Sequence, residues 1–186
     1  MVLTDREIQV AIQERQIVID PVPGPERYSS TSLDLTLGKP MRIWNRPETP
    51  GVESPIMCPG APDYKYAEVV RQYTQSKELD ADGHVMKPGD FILGWTAEEI
   101  ELPTQSRLAA RVEGKSSLAR IGIGIHITAP TIHAGFSGNI QLEIFNLGPL
   151  HVRLVPGMPV CQLIFEQTLG TPQKGYRGQF FGQNAK

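Results

Sequence analysis

One carboxylate in the segment 139–146 has the setting of a catalytic group. Aliphatic residues alternate there with Gln141, Glu143 and Phe145, and a strand of period two places these two sets on opposite faces. A carboxylate on a half-apolar face is costly unless it is paired or functional. Glu143 is therefore the leading candidate for moving protons, and an ion pair at a subunit interface is the alternative.

A Gly-Lys-Ser-Ser turn at 114–117 has the donors that a phosphate group needs. Lys115, Ser116 and Ser117 can offer side-chain and backbone donors to phosphate oxygens. The turn is not a Walker A loop, because position 109 is alanine rather than glycine. Arg120 follows closely. Without further context, an ordinary polar turn and a surface arginine are the better readings of these residues.

Composition favours a small turn-rich β protein. The 186 residues predict one domain, 1–186, and sixteen prolines with eighteen glycines indicate many turns. The formal net charge is −2 without a basic run, which argues against nucleic-acid binding. No signal-peptide pattern or membrane-length apolar run occurs, so a soluble cytoplasmic protein is expected. Cys58 and Cys161 suit a reducing compartment, although a disulfide between them stays open.

The elements that must position these groups are short. Thr4 and Glu7 form a capping box that opens a helix ending before Asp20. Residues 45–88 read as an irregular insertion with at most a short helix or hairpin, and residues 170–186 as a flexible tail. Short strands with Gly/Pro turns predict a sandwich or barrel, and the candidate strands are 32–37, 91–96, 107–112, 122–128, 139–145, 151–155 and 160–167.

Three segments resemble the core of the dCTP deaminases, which are relatives of the trimeric dUTPases. They are GKSSLAR (114–120), TAPTIHAGFSG (128–138) and LEIFN (142–146). Four further segments also resemble segments of this family and occur in the family order. They lie at 3–8, 29–37, 87–103 and 156–166. The resemblance implies a mainly β fold, a distorted β-barrel or jelly roll of the dUTPase-like type with a short N-terminal helix. It also implies a homotrimer with active sites at subunit interfaces, where a neighbouring chain supplies the GKSSLAR residues.

The resemblance also implies roles for individual residues. Glu143 would shuttle protons for a zinc-free deamination, with Ser116 and Arg120 helping to position the water; the chain lacks the His-x-Glu and Cys-x-x-Cys signature of zinc deaminases. The triphosphate would arrive with Mg²⁺, held by no protein side chain, and dTTP would inhibit. The remaining substrate-binding residues implied are Lys115, Ser117, Thr128, Ala129, His133, Phe136, Gln162, Tyr176 and Gln183.

His133 is the main departure from the family pattern, which has aspartate at this place. In dUTPases and bifunctional enzymes that aspartate contacts the deoxyribose and orients the hydrolytic water. A histidine is a poorer equivalent, which argues against dUTP hydrolysis, although a tolerated change stays open. His126 and His151, in predicted strands, are expected to be structural.

In the tail, Gln179 stands where the family often has lysine, and Lys174 or Arg177 are possible substitutes. Arg177 and Phe181 also resemble the dUTPase tail, in which an arginine meets phosphate and a phenylalanine stacks on the base. The leading hypothesis is therefore a dCTP deaminase that makes dUTP for thymidylate supply. The alternatives are a dUTPase or bifunctional enzyme that releases dUMP and pyrophosphate, and a non-catalytic deoxynucleotide sensor.

Overall fold

The computed structural model describes residues 1–45 and 55–176. Three α-helices occur among them, α1 (Asp5–Gln13), α2 (Tyr66–Tyr73) and α3 (Ser116–Ala119). The strands are β1 (Val18–Asp20), β2 (Tyr28–Ser29), β3 (Ser32–Trp44), β4 (Thr74–Glu78), β5 (His84–Met86), β6 (Phe91–Glu101), β7 (Leu108–Gly114), β8 (Ile123–Gly124), β9 (Thr131–Ile132), β10 (Ser137–Asn146), β11 (Val152–Leu154) and β12 (Pro159–Gln167).

Ten of these strands form one antiparallel sheet in the order β8-β10-β6-β3-β12-β7-β9, with β1 added to β6 and with β2 and β4 added to β3. β5 and β11 form a separate pair. The large sheet curls into a half-barrel. Register shifts in the β3–β6, β6–β10 and β3–β12 pairings contribute, because bulges bend strands. The predicted mainly β fold with a short N-terminal helix is confirmed.

The core lies inside the curl of the sheet. Leu33, Leu35 and Leu37 of β3 are buried there, as their alternation predicted. Helix α1 begins after Thr4, whose hydroxyl accepts from the Glu7 N–H at 3.5 Å, and it adds Ile8 to the same core. None of the helices among the described residues is long and apolar enough to span a membrane.

Two differences from the sequence-based expectation bear on the site. The predicted strand 122–128 is a strand only at Ile123–Gly124, and the chain then leaves the sheet as a loop. The described part of the 45–88 insertion carries α2, β4 and β5, which is more regular structure than expected. β4 is a largely exposed, polar strand that pairs with β3 through its backbone, so its sequence carries no hydrophobic alternation to reveal it.

The two cysteines are free thiols. Cys58 is exposed in the described part of the insertion, and Cys161 is buried on β12. The disulfide that the sequence left open is therefore not formed.

Candidate active site

A cavity of about 530 Å³ lies beside β10. It lies between that strand, the loop that follows β8, the start of β6 and the first residue of α2. Its surface is largely apolar and aromatic, a common setting for binding a small molecule. The lining residues are Trp44, Tyr66, Phe91, Leu93, Val112, His126, Ala129, Thr131, Ile132, His133, Phe136, Ile140, Gln141, Leu142, Glu143 and Tyr176.

Glu143 lies on the wall of this cavity. On β10 its neighbours Leu142 and Ile144 are buried in the core while Glu143 itself is half-buried, as the period-two pattern predicted. The Ile127 N–H donates to its Oε2 at 3.3 Å. This hydrogen bond comes from the loop after β8, which the sequence predicted to be strand. Because this loop leaves the sheet, its backbone N–H can reach the carboxylate.

The charge of Glu143 also acts on a neighbouring phenol. Burial, and after it the negative charge of Glu143 and the ionised form of Tyr64, raise the pKa of the Tyr66 hydroxyl, while the nearby cation of Arg42 opposes the rise. Tyr66 Oη donates to Gln141 Oε1 at 3.2 Å. Glu143 thus belongs to a small polar group on one wall of an otherwise apolar cavity.

Another part of the lining is aromatic and includes the beginning of the C-terminal segment. The Tyr176 ring stacks on His133 at a centroid distance of 5.6 Å and is tilted against Phe136 at 6.3 Å. The Tyr176 N–H donates to the Ala134 carbonyl at 3.0 Å. Gly135 has a φ of 89°, and a Cβ there would lie 2.7 Å from the Tyr176 nitrogen, so a side chain at 135 would push this segment away. Ala129 completes the wall.

The residues predicted to bind the triphosphate lie elsewhere on the chain's surface. Ser116, Ser117 and Arg120 are exposed on or just after α3, and none of them lines the cavity. Within the described residues, no ion pair joins Arg120 to Glu143 inside one chain. Thr128 is exposed on the loop and also lies outside the lining.

Lys115 and Gln162 belong to a polar cluster between β3, β7 and β12. Lys115 forms an ion pair with Asp34, and both side chains are largely buried. Gln162 accepts from the Ser32 hydroxyl at 2.8 Å and donates to the Gly114 carbonyl at 3.3 Å. These contacts fix the base of the Gly-Lys-Ser-Ser turn. The predicted tail residues Gln183, Arg177, Gln179 and Phe181 lie outside the described residues.

Several lining residues were missed by sequence reasoning. His126 was expected to be structural and on a strand, but it lies in the loop after β8 and lines the cavity, with Nε2 4.0 Å from Glu113 Oε2. His151 is exposed just before β11, not within it. Gln141 could have been found, because it shares its strand face with Glu143. Tyr66 gave no signal, because only folding brings α2 to β10.

No cluster of three or more His, Cys, Asp or Glu side chains that could hold a metal ion occurs in residues 1–45 and 55–176.

Comparison with known proteins gives a consistent picture. The model of the dCTP deaminase-like family matches residues 2–168. The dCTP deaminase of Rhodospirillum rubrum is 37% identical over 178 residues, which cover 95% of this chain and 87% of that protein. A Tropheryma whipplei protein named dCTP deaminase, dUMP-forming, is 39% identical over 178 residues, covering 96% of this chain and 83% of its own.

Among solved structures, the 2′-deoxycytidine 5′-triphosphate deaminase of Agrobacterium tumefaciens superposes with a TM-score of 0.66 at 21% identity. The match covers 89% of this chain and 48% of that one, so this chain spans about half its length. At this identity the likeness concerns the fold alone.

Proposed function

This chain belongs to the dCTP deaminase-like family, and on that premise we propose that it hydrolyses dCTP to dUTP and ammonia. The observation that carries the proposal is Glu143 on the wall of a largely apolar cavity, with its carboxylate held by the Ile127 N–H. The names of the relatives from Rhodospirillum rubrum and Tropheryma whipplei support the same reaction. The reaction would be a cytoplasmic step that makes dUTP for thymidylate supply.

The chemistry needs one group that both takes and gives protons. Glu143 removes a proton from water as the water oxygen bonds to C4 of cytosine, and it delivers that proton to N3. The second proton of the bound water then goes, through the same carboxylate, to the exocyclic nitrogen. The C4–N4 bond breaks, ammonia leaves, N3 keeps its proton, and C4 becomes a carbonyl. The net change is dCTP plus water giving dUTP plus ammonia, with no metal step.

The site of one chain is incomplete for this substrate. The cavity has Glu143, but Ser116, Ser117 and Arg120 lie outside it. In the proposed homotrimer, α3 of a neighbouring chain brings these residues to the open side of the cavity. Arg120 then orients Glu143 and the water together with Ser116, while Ser117 meets the triphosphate and Lys115 exchanges its pairing with Asp34 for a phosphate oxygen. The substrate is the magnesium complex of dCTP.

The same cavity could also bind an inhibitor that resembles the substrate. A thymidine triphosphate shares the deoxyribose and the triphosphate with dCTP, and its base presents a C4 carbonyl in place of the amino group. We therefore expect dTTP to compete with dCTP at this site. The walls formed by Ala129 and Phe136 suit a deoxyribose, because an aromatic ring packs where a 2′-hydroxyl would need a polar partner.

A second candidate function is release of dUMP. The Tropheryma whipplei relative is named dUMP-forming, which favours a bifunctional enzyme. Against it stands His133, whose ring is stacked on Tyr176. A ring held in this way is a poor substitute for a carboxylate that must orient water against the α-phosphate. We favour dUTP as the final product.

Product analysis tests both candidates. The protein is incubated with dCTP or with dUTP and Mg²⁺, and the products are separated by chromatography, alongside Glu143→Gln. We expect dCTP to become dUTP, dUTP to persist, and the variant to lose at least about 100-fold in kcat, since acid–base groups contribute on that scale. Appearance of dUMP would replace the proposal with the bifunctional one. Binding of dCTP without any product would indicate a nucleotide sensor.

A further inference from the structure

The 45–88 segment contributes a polar side chain to the cavity. Tyr66 is the first residue of α2, its ring is half-buried, and its hydroxyl donates to Gln141 Oε1 at 3.2 Å. The ring belongs to an aromatic and aliphatic cluster with Trp44, Phe91 and Leu93. This packing fixes the phenol, and the phenol in turn holds the amide of Gln141.

Gln141 and Glu143 form a pair of polar groups at a defined spacing. They lie two residues apart on the same face of β10, about 6.8 Å along the strand at the usual rise per residue. Both line the cavity. The closeness of Tyr66 to Glu143 is also seen electrostatically, because the carboxylate charge helps to raise the pKa of Tyr66. The three side chains thus make one polar strip along an otherwise apolar wall.

The hydrogen bond from Tyr66 decides what Gln141 can offer. An amide side chain has one acceptor oxygen and a nitrogen with two N–H donors. Tyr66 engages the oxygen, so the nitrogen, on the other branch of the amide, is turned away from the phenol. The group that Gln141 offers to the cavity is therefore a donor, and it matches an acceptor on the ligand.

A pyrimidine has such an acceptor at the required place. Its hydrogen-bonding edge runs from the C4 substituent through N3 to the C2 carbonyl oxygen. With C4 at Glu143, where the proposed deamination takes place, a base whose hydrogen-bonding edge lies along β10 would direct its C2 oxygen towards Gln141. We propose that Gln141 binds the 2-keto oxygen of the pyrimidine and that Tyr66 is the positioning residue that fixes the Gln141 amide. The pyrimidine itself rests on the proposed function.

A contact to the 2-keto oxygen should affect the binding of all pyrimidine nucleotides alike. The 2-keto oxygen is common to cytosine, uracil and thymine, so the contact supports binding of every pyrimidine without discriminating between them. Loss of the Gln141 donor must weaken dCTP and dUTP by the same factor. Loss of the Tyr66 hydroxyl must act through Gln141, and it must have no further effect once Gln141 has been replaced.

The experiment measures binding in a background that cannot turn over. Glu143→Gln is combined with Gln141→Leu, with Tyr66→Phe, or with both, and the Kd values for dCTP and for dUTP are measured by titration calorimetry. Gln141→Met, closer in shape to glutamine, replaces Gln141→Leu if that variant does not fold. Tyr73→Phe at the other end of α2 is the matched control. In parallel, kcat and KM for dCTP are measured for the single variants with Glu143 intact.

We expect Gln141→Leu to raise both Kd values equally, by about five-fold, the size of one hydrogen bond. Tyr66→Phe raises both by a smaller factor, the double variant matches Gln141→Leu alone, and Tyr73→Phe changes neither. In the active enzyme, KM rises and kcat stays within about two-fold, because the contact is the same in substrate and transition state.

Several results would overturn the inference. They are an unchanged Kd in Gln141→Leu, a loss confined to dCTP, a fall in kcat without a rise in KM, or additive effects of the two substitutions. Equal losses for both nucleotides in a protein whose wild type does not deaminate dCTP would sustain the inference and reject the proposed function. A background variant that binds neither nucleotide would reject both.

Discussion

At the scale of single residues, the site depends on how one carboxylate is held. Glu143 shares its strand face with Gln141 and accepts from the Ile127 N–H at 3.3 Å. Most of the lining residues around it are apolar or aromatic, so Glu143 has few other polar groups with which to pair. A single acid in this environment can keep a defined orientation while it exchanges protons with a bound water.

The two cysteines offer a test of the structure that is independent of activity. Burial first, and then the nearby acids Glu98 and Asp34, raise the pKa of the Cys161 thiol far above its usual range, while the Lys115 cation opposes the rise. The thiolate is the reactive form, so a raised pKa keeps Cys161 neutral and unreactive at pH 8. Cys58 is exposed.

We therefore expect one fast-reacting thiol per chain in the folded protein and two in denaturant, measured with a chromogenic disulfide reagent. Cys58→Ser is the control, and it should abolish the fast equivalent without affecting the slow one. Two fast equivalents in the folded wild type would contradict the burial of Cys161.

At the scale of elements, helix α1 shows how a short amphipathic segment closes the core. Ile8 is fully buried against the sheet, whereas Val10, two residues later on the same helix, is 37% exposed. Replacing a buried isoleucine with alanine removes its contacts and leaves a cavity, whereas surface substitutions usually change little.

Ile8→Ala should lower the free energy of unfolding by about 3 kcal/mol, and Val10→Ala should change it by less than about 0.5 kcal/mol. Urea denaturation at one fixed protein concentration measures both, which keeps any effect of self-association constant. Similar losses in the two variants would mean that α1 does not pack as described.

At the scale of the whole molecule, the central fact is the separation of two groups of residues. Glu143 lines the cavity, and Arg120 lies outside it with no ion pair between them in the described part of the chain. If neighbouring chains supply the missing group, two inactive variants can repair each other. In a mixed trimer, some sites take Glu143 from one chain and Arg120 from the next.

Arg120→Ala and Glu143→Gln should each be inactive alone, and an equal mixture that has exchanged subunits should recover about a quarter of wild-type activity, the statistical share of intact sites in a cyclic oligomer. The assay follows ammonia release before and after the exchange. A mixture as inactive as its components, although mass measurement shows mixed trimers, would place both residues in the site of one chain. The same outcome would reject the proposed shared site.

Much of this molecule is determined by local sequence pattern. The alternation in 32–37 and 139–145 specified which side chains of β3 and β10 enter the core, because a strand has a fixed period. The Thr4 capping box marked the start of α1. Glu143 stood out because it is a carboxylate on a half-apolar face of a strand. The motifs at 114–120, 128–138 and 142–146 identified the family, which the match over residues 2–168 then confirmed.

The contacts between distant segments could be identified only from the tertiary structure. Tyr66 lies 75 positions from Gln141, and Lys115 lies 81 positions from Asp34; no local pattern encodes either pairing. β4 escaped notice because its pairing with β3 uses backbone groups, which every residue shares. The loop after β8 has the apolar alternation of a strand, yet it leaves the sheet, where the Ile127 N–H binds Glu143. Sequence pattern thus indicated which faces of the strands are buried and offered Glu143 as a candidate for chemistry, and three-dimensional packing decided which side chains meet.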